Sequence, residues 1–526
     1  MRDFNVPGRS AAMAANGMAA TSHPRATLTA LDVLRAGGNA ADAAIAAVAM
    51  QCVVEPQSTG IGGDCFVLYS REGGLPVALN GSGRAPAKAT VDWYVERGID
   101  QIAVQTAHAV TVPGAVDAWC TFNRDHGTRP LAELLEPAAI AAEEGYVVTP
   151  RIAADWRRSR EKLRDPITAA LFLPGGKPPA AGDKMTNPPL AATLRLIGRE
   201  GREAFYAGPV MHDIVSCLKS LGGLHEEADF ADQRSNWVEP INASYRGYEV
   251  YECPPNGQGM AALMILRTLS GYALDGDSFS EADRLHLLAE ASKAAYSVRD
   301  HFICDPEHVP VDVGGFLSEA RAERTRREIR LDRTIAGPRW AEIEHKDTVY
   351  LCVVDRDGNA CSFINSLFSS FGTGILAPHS GVLLHNRGTG FRTIPGHPNA
   401  IAPGKRPFHT IIPGMLVKDG RAVMPFGVMG GQYQAVGHAH FLHRMLDRGM
   451  DPQEAAEQPR ILPWHGELQV ERATPAAILD DLANRGHQIA VQEVPLGGCQ
   501  AIWIDYERGV LIGGSDPRKD SLALGY

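Results

Sequence analysis

The sequence predicts a large α/β protein, and three observations support this fold class. The 526-residue chain is 44% hydrophobic and 21% charged, which suits either several ordinary domains or one large two-part unit. Apolar residues recur at helical spacing through much of its first 300 residues. Near residue 350, two runs rich in β-branched and aromatic residues flank an Asp-Gly pair, which predicts a β-hairpin.

The first elements are two helices and a strand joined by glycine-rich turns. Residues 26–36 carry leucines on one face and end at a Gly-Gly pair. Residues 39–54 have small side chains on nearly every face, so we expect this helix to pack closely against a sheet. A loop at 60–63 leads into a strand at 65–69. Because no helix and no Lys-Ser/Thr pair follows, we expect tight backbone packing there and not phosphate binding.

Three further helices are predicted at 131–144, around 190–197 and at 281–299. In the last of these, His286, Glu290 and Lys293 share one face. This spacing resembles a metal or acid/base site, but no second ligand cluster accompanies it. We therefore expect a solvated or packing face and no metal. Dense charge and a Gly-Pro break between residues 321 and 346 predict a mobile linker.

Charge and composition exclude several classes of function. The net charge of −10 is spread thinly, with no basic patch for nucleic acid and no polybasic stretch for a membrane surface. The longest apolar run, residues 40–54, is too short and too polar to span a bilayer. The first ten residues lack the apolar core of a signal peptide, so we expect a cytoplasmic protein. Nine cysteines without metal-ligand spacing indicate reduced thiols.

The residue that opens the first strand of the hairpin is Thr348. If the bond between Asp347 and Thr348 were cut, one residue would carry both a hydroxyl nucleophile and a free α-amine as its base. Such an amine has a pKa of about 7.7–8.0, so part of it is neutral at pH 7. Counting back from the turn places Thr348 opposite Ser366 if the loop holds three residues, or opposite Leu367 if it holds two. On pattern alone, a strand-opening threonine is more often structural.

Motifs along nearly the whole chain resemble those of the γ-glutamyltranspeptidase family. They are ATSHP (20–24), GGNAADAA (37–44), GIGGD (60–64), VPGA (112–115), PPNGQG (254–259), SSFGTGI (369–375), SGVLL (380–384), GKRP (404–407) and GVMGG (427–431). The resemblance implies a self-cleaving N-terminal-nucleophile hydrolase with a four-layer αββα sandwich. It also implies cleavage between Asp347 and Thr348 into a large chain, 1–347, and a small chain, 348–526, which stay associated.

The resemblance further implies the catalytic roles. Thr348 would be the nucleophile, Ser366 would hydrogen-bond to it, and the backbone amides of Gly430 and Gly431 would form the oxyanion hole. Adjacent glycines allow the backbone to turn its amides toward a ligand. The implied chemistry needs no metal and no organic cofactor.

Departures from the family pattern concern the substrate pocket. The arginine that normally grips the substrate carboxylate is replaced by Ser82, and Arg84 follows two residues later. The segment 384–391 lacks the acidic residue that holds the glutamyl amine and contains Arg387. The paired serines of the family are His409 and Thr410 here. We therefore predict that Arg84, Arg387, His409 and Thr410 bind a substrate with a carboxylate and no α-ammonium group.

These departures resemble an atypical branch that contains γ-glutamyltranspeptidase-like hydrolases, oxamate amidohydrolases and cephalosporin or glutaryl acylases. Two substrates stay open, namely an oxamate-type amide that releases ammonia and a γ-glutamyl amide such as glutathione. A β-lactam-type acylase is a third reading. An uncut, non-enzymatic binding protein is the rival class. Homo-oligomerisation and the balance of hydrolysis against transfer also stay open.

Overall fold

The computed structural model describes residues 8–335 and 348–526. Its strands are, in chain order, β1 (Ala12–Ala14), β2 (Met18–Thr21), β3 (Asp64–Ser70), β4 (Val77–Gly81), β5 (Tyr146–Val147), β6 (Lys184–Met185), β7 (Asn236–Val238), β8 (Ile241–Tyr245), β9 (Tyr248–Glu252), β10 (Val349–Val354), β11 (Ala360–Ser366), β12 (Leu376–Ala377), β13 (Val382–Leu383), β14 (Gly414–Lys418), β15 (Arg421–Met429), β16 (Ile461–Trp464), β17 (Glu467–Glu471), β18 (Ile489–Gln492), β19 (Gly498–Asp505), β20 (Val510–Ser515) and β21 (Leu522–Gly525).

The helices are α1 (Pro24–Arg35), α2 (Ala40–Val54), α3 (Val91–Val95), α4 (Ala115–His126), α5 (Leu131–Glu144), α6 (Pro150–Arg158), α7 (Pro166–Phe172), α8 (Pro188–Glu200), α9 (Arg202–Tyr206), α10 (Pro209–Ser220), α11 (Glu227–Ala231), α12 (Gly259–Leu269), α13 (Glu281–Phe302), α14 (Val313–Phe316), α15 (Glu319–Glu328), α16 (Tyr433–Leu446), α17 (Pro452–Glu457) and α18 (Ala476–Asn484). Short 3₁₀ turns occur at Ala107–Ala109, Arg160–Lys162, Pro174–Gly176 and Arg387–Gly390.

Two seven-stranded antiparallel sheets form the centre of the molecule. The first has the order β21-β2-β10-β11-β3-β4-β7, and the second has the order β1-β20-β19-β15-β14-β9-β8. In the first sheet, β10 and β11 lie between β2 and β3. Strands from before and after Thr348 therefore alternate within one sheet, so the two predicted chains share a single hydrogen-bonded framework.

Three hydrophobic cores separate four layers. The core between the sheets contains Phe66, Tyr350, Ile364, Met415 and Ile502. A second core lies between the first sheet and helices that include α1, α2 and α5. A third lies between the second sheet and α12, α13 and α16. This arrangement confirms the αββα sandwich.

Helix α2 packs against β10 and β11, the hairpin that begins after Thr348. Asn39 and Asp42 form a capping box, because each side chain accepts a 3.0 Å hydrogen bond from the other's backbone amide. Every residue of α2 is buried, and seven of its fifteen residues are alanine. Small side chains let this helix approach the sheet closely, which confirms the expectation for residues 39–54.

The helices predicted at 131–144, 190–197 and 281–299 are present as α5, α8 and α13. The prediction of a mobile linker from residue 321 is wrong for residues 321–328, since these belong to helix α15. Ser318 caps that helix by accepting a hydrogen bond from the Arg321 amide, so the charged residues form its polar surface. Residues 336–347, including Asp347 at the predicted cleavage point, lie outside the described residues. Within the described part of the chain, no helix has both the length and the apolar character needed to cross a membrane.

Glu55, at the carboxyl end of α2, makes folding stability depend on pH. Its carboxylate is buried and accepts hydrogen bonds from Ser22 Oγ at 2.6 Å and Gln51 Nε2 at 3.2 Å. Burial raises its pKa from 4.5 to about 7, against the effect of these hydrogen bonds. The folded chain therefore binds this proton more tightly than the unfolded chain. Its contribution to stability is complete below pH 4.5 and is lost as pH rises to about 7.

We expect Glu55→Gln to remove this pH dependence. Compared in an uncleavable Thr348→Ala background, the parent should lose on the order of 2–3 kcal/mol more unfolding free energy than the variant between pH 5 and pH 8. Urea unfolding at both pH values measures the difference. Equal losses in the two proteins would contradict a raised pKa at Glu55.

Candidate active site

The hairpin turn determines what faces Thr348. Asp355 closes the loop, because its carboxylate accepts hydrogen bonds of 3.0 Å from the Asp357 and Asn359 amides and of 2.8 Å from the Asn359 side chain. Val354 pairs with Ala360 and Val349 pairs with Asn365. The Asp355 amide also donates a 3.1 Å hydrogen bond to the Asn359 carbonyl, so three residues form the tip of the loop between them. Extended by one residue, this register places Thr348 opposite Ser366 and not Leu367.

Thr348 and Ser366 place their hydroxyls together in a buried site. Their Oγ atoms are 3.1 Å apart. Ser366 Oγ also accepts a 2.9 Å hydrogen bond from the Phe368 amide. Because that amide can only donate, Ser366 Oγ is the acceptor of this hydrogen bond.

The glycine-rich loop before β3 fixes the backbone of Ser366. A Cβ added at Gly63 would lie 2.2 Å from the Ser366 carbonyl oxygen, and one at Gly62 would lie 2.3 Å from the Leu383 carbonyl oxygen. Neither approach leaves room for a side chain. The predicted packing role of residues 60–63 is confirmed, and the packing is directed at the residue that faces Thr348.

Asp64 is a site residue to which the sequence analysis assigned no role. It pairs with Ser366 across β3 and β11, so Thr348, Ser366 and Asp64 form a row over three neighbouring strands. The signal was present in the sequence, since an acid that starts an apolar strand must find hydrogen-bond partners when it is buried. Those partners are far away in the chain.

Four groups surround the Asp64 carboxylate. Oδ1 accepts hydrogen bonds from the Gly83 amide at 2.9 Å and the Gly114 amide at 3.2 Å. Oδ2 lies 3.0 Å from His409 Nε2 and 3.2 Å from His385 Nδ1. Burial acts to raise the pKa of Asp64, but the two imidazoles outweigh it and hold the pKa well below its usual range. The carboxylate is therefore ionised at neutral pH.

His409, predicted to bind substrate, is held on Asp64. Burial, and next the charge of Arg387, lower the pKa of His409 to about 3, although the hydrogen bond to Asp64 acts in the opposite direction. The ring is neutral at pH 7 and donates its Nε2 proton to the carboxylate. Its Nδ1 has no hydrogen-bond partner among the described residues and keeps an acceptor lone pair.

Arg387 is fully buried on the 3₁₀ turn Arg387–Gly390. Its Nη1 donates a 3.0 Å hydrogen bond to Thr410 Oγ1, and its guanidinium lies 4.0 Å from the centre of the Phe368 ring. Within the described ranges, Nε and Nη2 have no hydrogen-bond partner. Burial lowers the pKa of Arg387, an effect that nearby Asp64 partly offsets. Two donors of one buried fork are thus available for a ligand.

Gly430 and Gly431 follow β15 with φ angles of +120° and +57°. Their carbonyls accept hydrogen bonds from the amides of the first turn of α16, so the positive end of that helix lies beside them. The Gln258 amide group donates to the carbonyl of Gly431 at 3.0 Å and to that of Thr410 at 2.7 Å. One side chain therefore links the predicted oxyanion glycine to the residue that holds Arg387.

Arg84 lies in a different environment from Arg387. Its Nη2 pairs with Glu307 at 2.9 Å and its Nη1 donates to the Gly404 carbonyl at 3.0 Å. Glu307 also pairs with Arg406 at 3.0 Å. A substrate carboxylate at Arg84 would have to replace Glu307, so the predicted role of Arg84 stays a prediction.

The predicted face of α13 is buried and not solvated. His286 Nδ1 lies 2.8 Å from His487 Nε2, and Lys293 pairs with Glu290 at 2.5 Å. His487 comes from a distant segment, so the spacing within α13 could not reveal it. The potential ligand atoms of His286, Glu290 and His487 lie within 4.8 Å of one another. Glu290 also accepts a 3.0 Å hydrogen bond from the Ile335 amide. The cluster therefore holds Ile335, which lies at the end of the described segment before the predicted cleavage point. Lys293 is the cation that pairs with the Glu290 carboxylate.

Comparison with known proteins agrees with this geometry. A model of the γ-glutamyltranspeptidase family matches residues 26–526. The chain belongs to the γ-glutamyltranspeptidase family. As a member, it is an N-terminal-nucleophile hydrolase that cleaves amide bonds.

Relatives within the γ-glutamyltranspeptidase family differ in the substrates that their names record. A glutathione hydrolase-like YwrD proenzyme of Bacillus subtilis is 36% identical, with 97% of this chain and 98% of the relative covered. An oxamate amidohydrolase proenzyme of Klebsiella pneumoniae is 34% identical at the same coverage. The crystal structure of a cephalosporin acylase from Bacillus halodurans matches with a TM-score of 0.94 and 39% identity over 100% of this chain and 99% of that one.

The Asp64 contacts predict a large structural effect of substitution. We expect Asp64→Ala to destabilise the protein by about 3–5 kcal/mol, because it leaves two buried amides and the His409 ring without their acceptor. The urea midpoint of an uncleavable Thr348→Ala parent measures this effect. Asp480→Ala, at an exposed position of α18, is the matched control. A loss below 1 kcal/mol in Asp64→Ala would contradict the contacts.

Proposed function

We propose that this protein cleaves itself before Thr348 and then hydrolyses amides whose acyl half carries a carboxylate. The observation that carries the proposal is the buried Arg387 fork. Its Nε and Nη2 have no partner in the described part of the chain, and Phe368 links it to the Thr348–Ser366 pair. Burying a guanidinium with unpaired donors is costly unless a ligand completes it.

A carboxylate fits this pocket better than an ammonium group. Guanidinium and carboxylate meet in two parallel hydrogen bonds, which Nε and Nη2 can supply. Asp64 is the acid beside Arg387, and its oxygens already accept hydrogen bonds from two amides and the His409 ring. A glutamyl α-ammonium would thus find no unengaged acid at Asp64. His409 Nδ1 and Thr410 Oγ1 complete the polar lining.

The self-cleavage step follows from the hydroxyl pair. Thr348 Oγ1 attacks the carbonyl carbon of Asp347, and the amide nitrogen of Thr348 becomes its α-amine as the acyl group moves from nitrogen to oxygen. Water then hydrolyses the ester and releases the carboxyl end of 1–347 from 348–526. Because strands of both chains alternate in one sheet, the fragments are proposed to remain associated.

In the mature enzyme, the Thr348 α-amine takes the hydroxyl proton as Oγ1 attacks the substrate carbonyl. Ser366 donates a hydrogen bond to the nucleophile. The Gly430 and Gly431 amides stabilise the oxyanion, supported by the amino-terminal end of α16. The protonated amine leaves, and water releases the acid from the acyl-enzyme.

Two substrate types remain candidates for the acyl half. Oxamate places a carboxylate directly beside the amide, and glutathione offers a γ-glutamyl amide whose amine would need contacts other than Asp64. Names of relatives include both activities. Acylase activity is a further candidate, and the 0.94 TM-score to a cephalosporin acylase favours it.

A cytoplasmic location remains part of the proposal. All nine cysteines are free thiols, and seven of them are buried. Cell fractionation of the native host with antibodies against the small fragment tests the location, and recovery in the exported fraction would contradict it.

Self-cleavage before Thr348 is the first test of the proposed function. We expect the purified chain to give two fragments at neutral pH, with Thr348 as the new amino terminus by mass spectrometry. Thr348→Ala should remain whole because it has no nucleophile, while Thr348→Ser should still cleave. Thr186→Ala, at an exposed position, is the control. A wild-type chain that stays whole would support the uncut binding protein instead.

Arg387→Gln tests the carboxylate pocket. We expect its KM for the best substrate to rise at least about tenfold, since a charge-assisted pair contributes roughly 1.5–3 kcal/mol. The assay follows ammonia from oxamate and glutamate from glutathione in one cleaved preparation. Arg472→Gln, at an exposed position, is the control. Ammonia alone would support an oxamate-type enzyme, and glutamate alone a γ-glutamyl hydrolase. An unchanged KM would contradict the role of Arg387.

A further inference from the structure

The side chain of Gln258 joins two parts of the site that are far apart in the sequence. Gln258 belongs to the PPNGQG motif, lies immediately before α12 and is fully buried. Its amide group donates a 2.7 Å hydrogen bond to the Thr410 carbonyl and a 3.0 Å hydrogen bond to the Gly431 carbonyl. Both N–H donors of this amide are therefore used, one on the segment that holds Arg387 and one on the glycine pair after β15.

Arg299, on α13, determines which way the Gln258 amide points. Its Nη1 donates a 2.9 Å hydrogen bond to Gln258 Oε1. A guanidinium can only donate, so it requires the oxygen of the amide on its own side. A reversed amide would set its N–H groups against the guanidinium and its oxygen against two carbonyls. Arg299 thus turns the two donors of Gln258 toward the site.

The Arg299 guanidinium also contacts both parts of the site directly. Its Nη1 donates a 2.6 Å hydrogen bond to Oε1 of Gln432, the residue after the glycine pair. The group lies 5.4 Å from the ring centre of Phe408, at the start of the pocket segment, and 3.9 Å from that of Tyr296. Asp300 balances its charge by accepting a 2.8 Å hydrogen bond from Nε. One buried, neutralised cation is therefore packed between the two parts.

The two parts would not be held equally well without the Gln258 side chain. The pocket segment has its own backbone contacts, since the Gln258 amide donates to the His409 carbonyl and the His409 amide donates to the Asn256 carbonyl, each at 2.9 Å. In the described chain, the Gly431 carbonyl accepts one further backbone hydrogen bond, of 3.2 Å from the Gln434 amide. Loss of the side chain should therefore loosen the glycine pair more than the pocket segment.

Resting on the proposed function, we propose that Gln258 and Arg299 are positioning residues for the oxyanion amides. They hold the glycine pair after β15 at a fixed place relative to Arg387. An acyl group bound there by its carboxylate then presents its carbonyl oxygen to amides that are already in position. This placement acts mainly on the transition state, because hydrogen bonds to the oxyanion strengthen as its charge develops.

Two acids with the same chain test this assignment on the processed enzyme. In 4-boronobutyrate, boron accepts a lone pair from Thr348 Oγ1 while the hydroxyl proton moves to the α-amine, which gives a tetrahedral anion at the oxyanion site. Glutarate carries a carboxylate in place of the boronate and forms no such adduct. Calorimetry measures both Kd values, and neither depends on how much of the preparation is folded.

Gln258→Met nearly keeps the side-chain volume and removes both donors. We expect its Kd for 4-boronobutyrate to rise at least about tenfold and its Kd for glutarate to rise less than about threefold, because oxyanion donors act on the tetrahedral adduct. Gln258→Glu keeps the acceptor for Arg299 and also lacks both donors, so it gives the same test if Gln258→Met fails to fold. Equal changes in the two Kd values would overturn the inference.

Gln488→Met, at an exposed position, is the matched control. It should leave both Kd values unchanged. A general loss of stability would lower the number of binding sites in a variant without separating the two acids, so the ratio of the Kd values is specific for positioning.

Hydrogen exchange separates this inference from the proposed function, because it needs neither processing nor a ligand. The Tyr433 and Gln434 amides donate to the two glycine carbonyls and report the order of the pair, while the His409 amide reports the pocket segment. In an uncleavable Thr348→Ala background, we expect Gln258→Met to speed exchange about fivefold or more at the first two amides and less than twofold at His409.

The exchange result and the binding result distinguish the two proposals. A wild-type chain that stays whole, or that binds neither acid, would contradict the proposed function, while faster exchange confined to the glycine pair would still support positioning by Gln258. Unchanged exchange at Tyr433 and Gln434 in both Gln258→Met and Gln258→Glu would overturn the positioning role, whatever the enzyme hydrolyses.

Discussion

The register of the β10–β11 hairpin is the constraint on which the rest of the site depends. Because Asp355 and Asn359 close a loop whose tip holds three residues, Thr348 faces Ser366 and their hydroxyls lie 3.1 Å apart. A slip by one residue would turn these side chains to opposite faces of the sheet. Helix α2 supports the same register from below, since the Ala40 amide donates a 2.8 Å hydrogen bond to Asp355. Small side chains on α2 and glycines at 62–63 are consequences of this close packing.

Around the hydroxyl pair, charge is arranged in two opposite ways. Asp64 is a buried anion that accepts hydrogen bonds from two amides and from the His409 ring, and it orders the pocket. Arg387 is a buried cation whose Nε and Nη2 donors have no hydrogen-bond partner within the described chain. Satisfied buried ions are typical of structure, while incompletely satisfied ones indicate a ligand.

Several site features were accessible from the sequence, and others were not. The hairpin, the core helix and the Gly-Gly turn follow from local patterns and from family motifs. The charge of Arg387 and the lack of an acid in 384–391 were visible too, but not the burial of the guanidinium or its unpaired donors. Arg84 shows the reverse case, since its sequence position suggested a ligand and its partner Glu307 lies more than 200 residues away. His487 is another distant partner, and it joins the α13 face only in the folded chain.

The sequence by itself determined the family, the fold class and the identity of the predicted nucleophile, because these depend on periodicity and on short motifs. Tertiary structure decided that Thr348 faces Ser366, that Asp64 completes the row, and that Arg387 is buried with two donors that have no partner in the described chain. These features depend on contacts between segments that are remote in sequence, such as Asp64 with His409. Whether a charged side chain is a ligand or a structural partner is decided by burial and by the counter-charge it finds. Those two quantities exist only once the chain has folded.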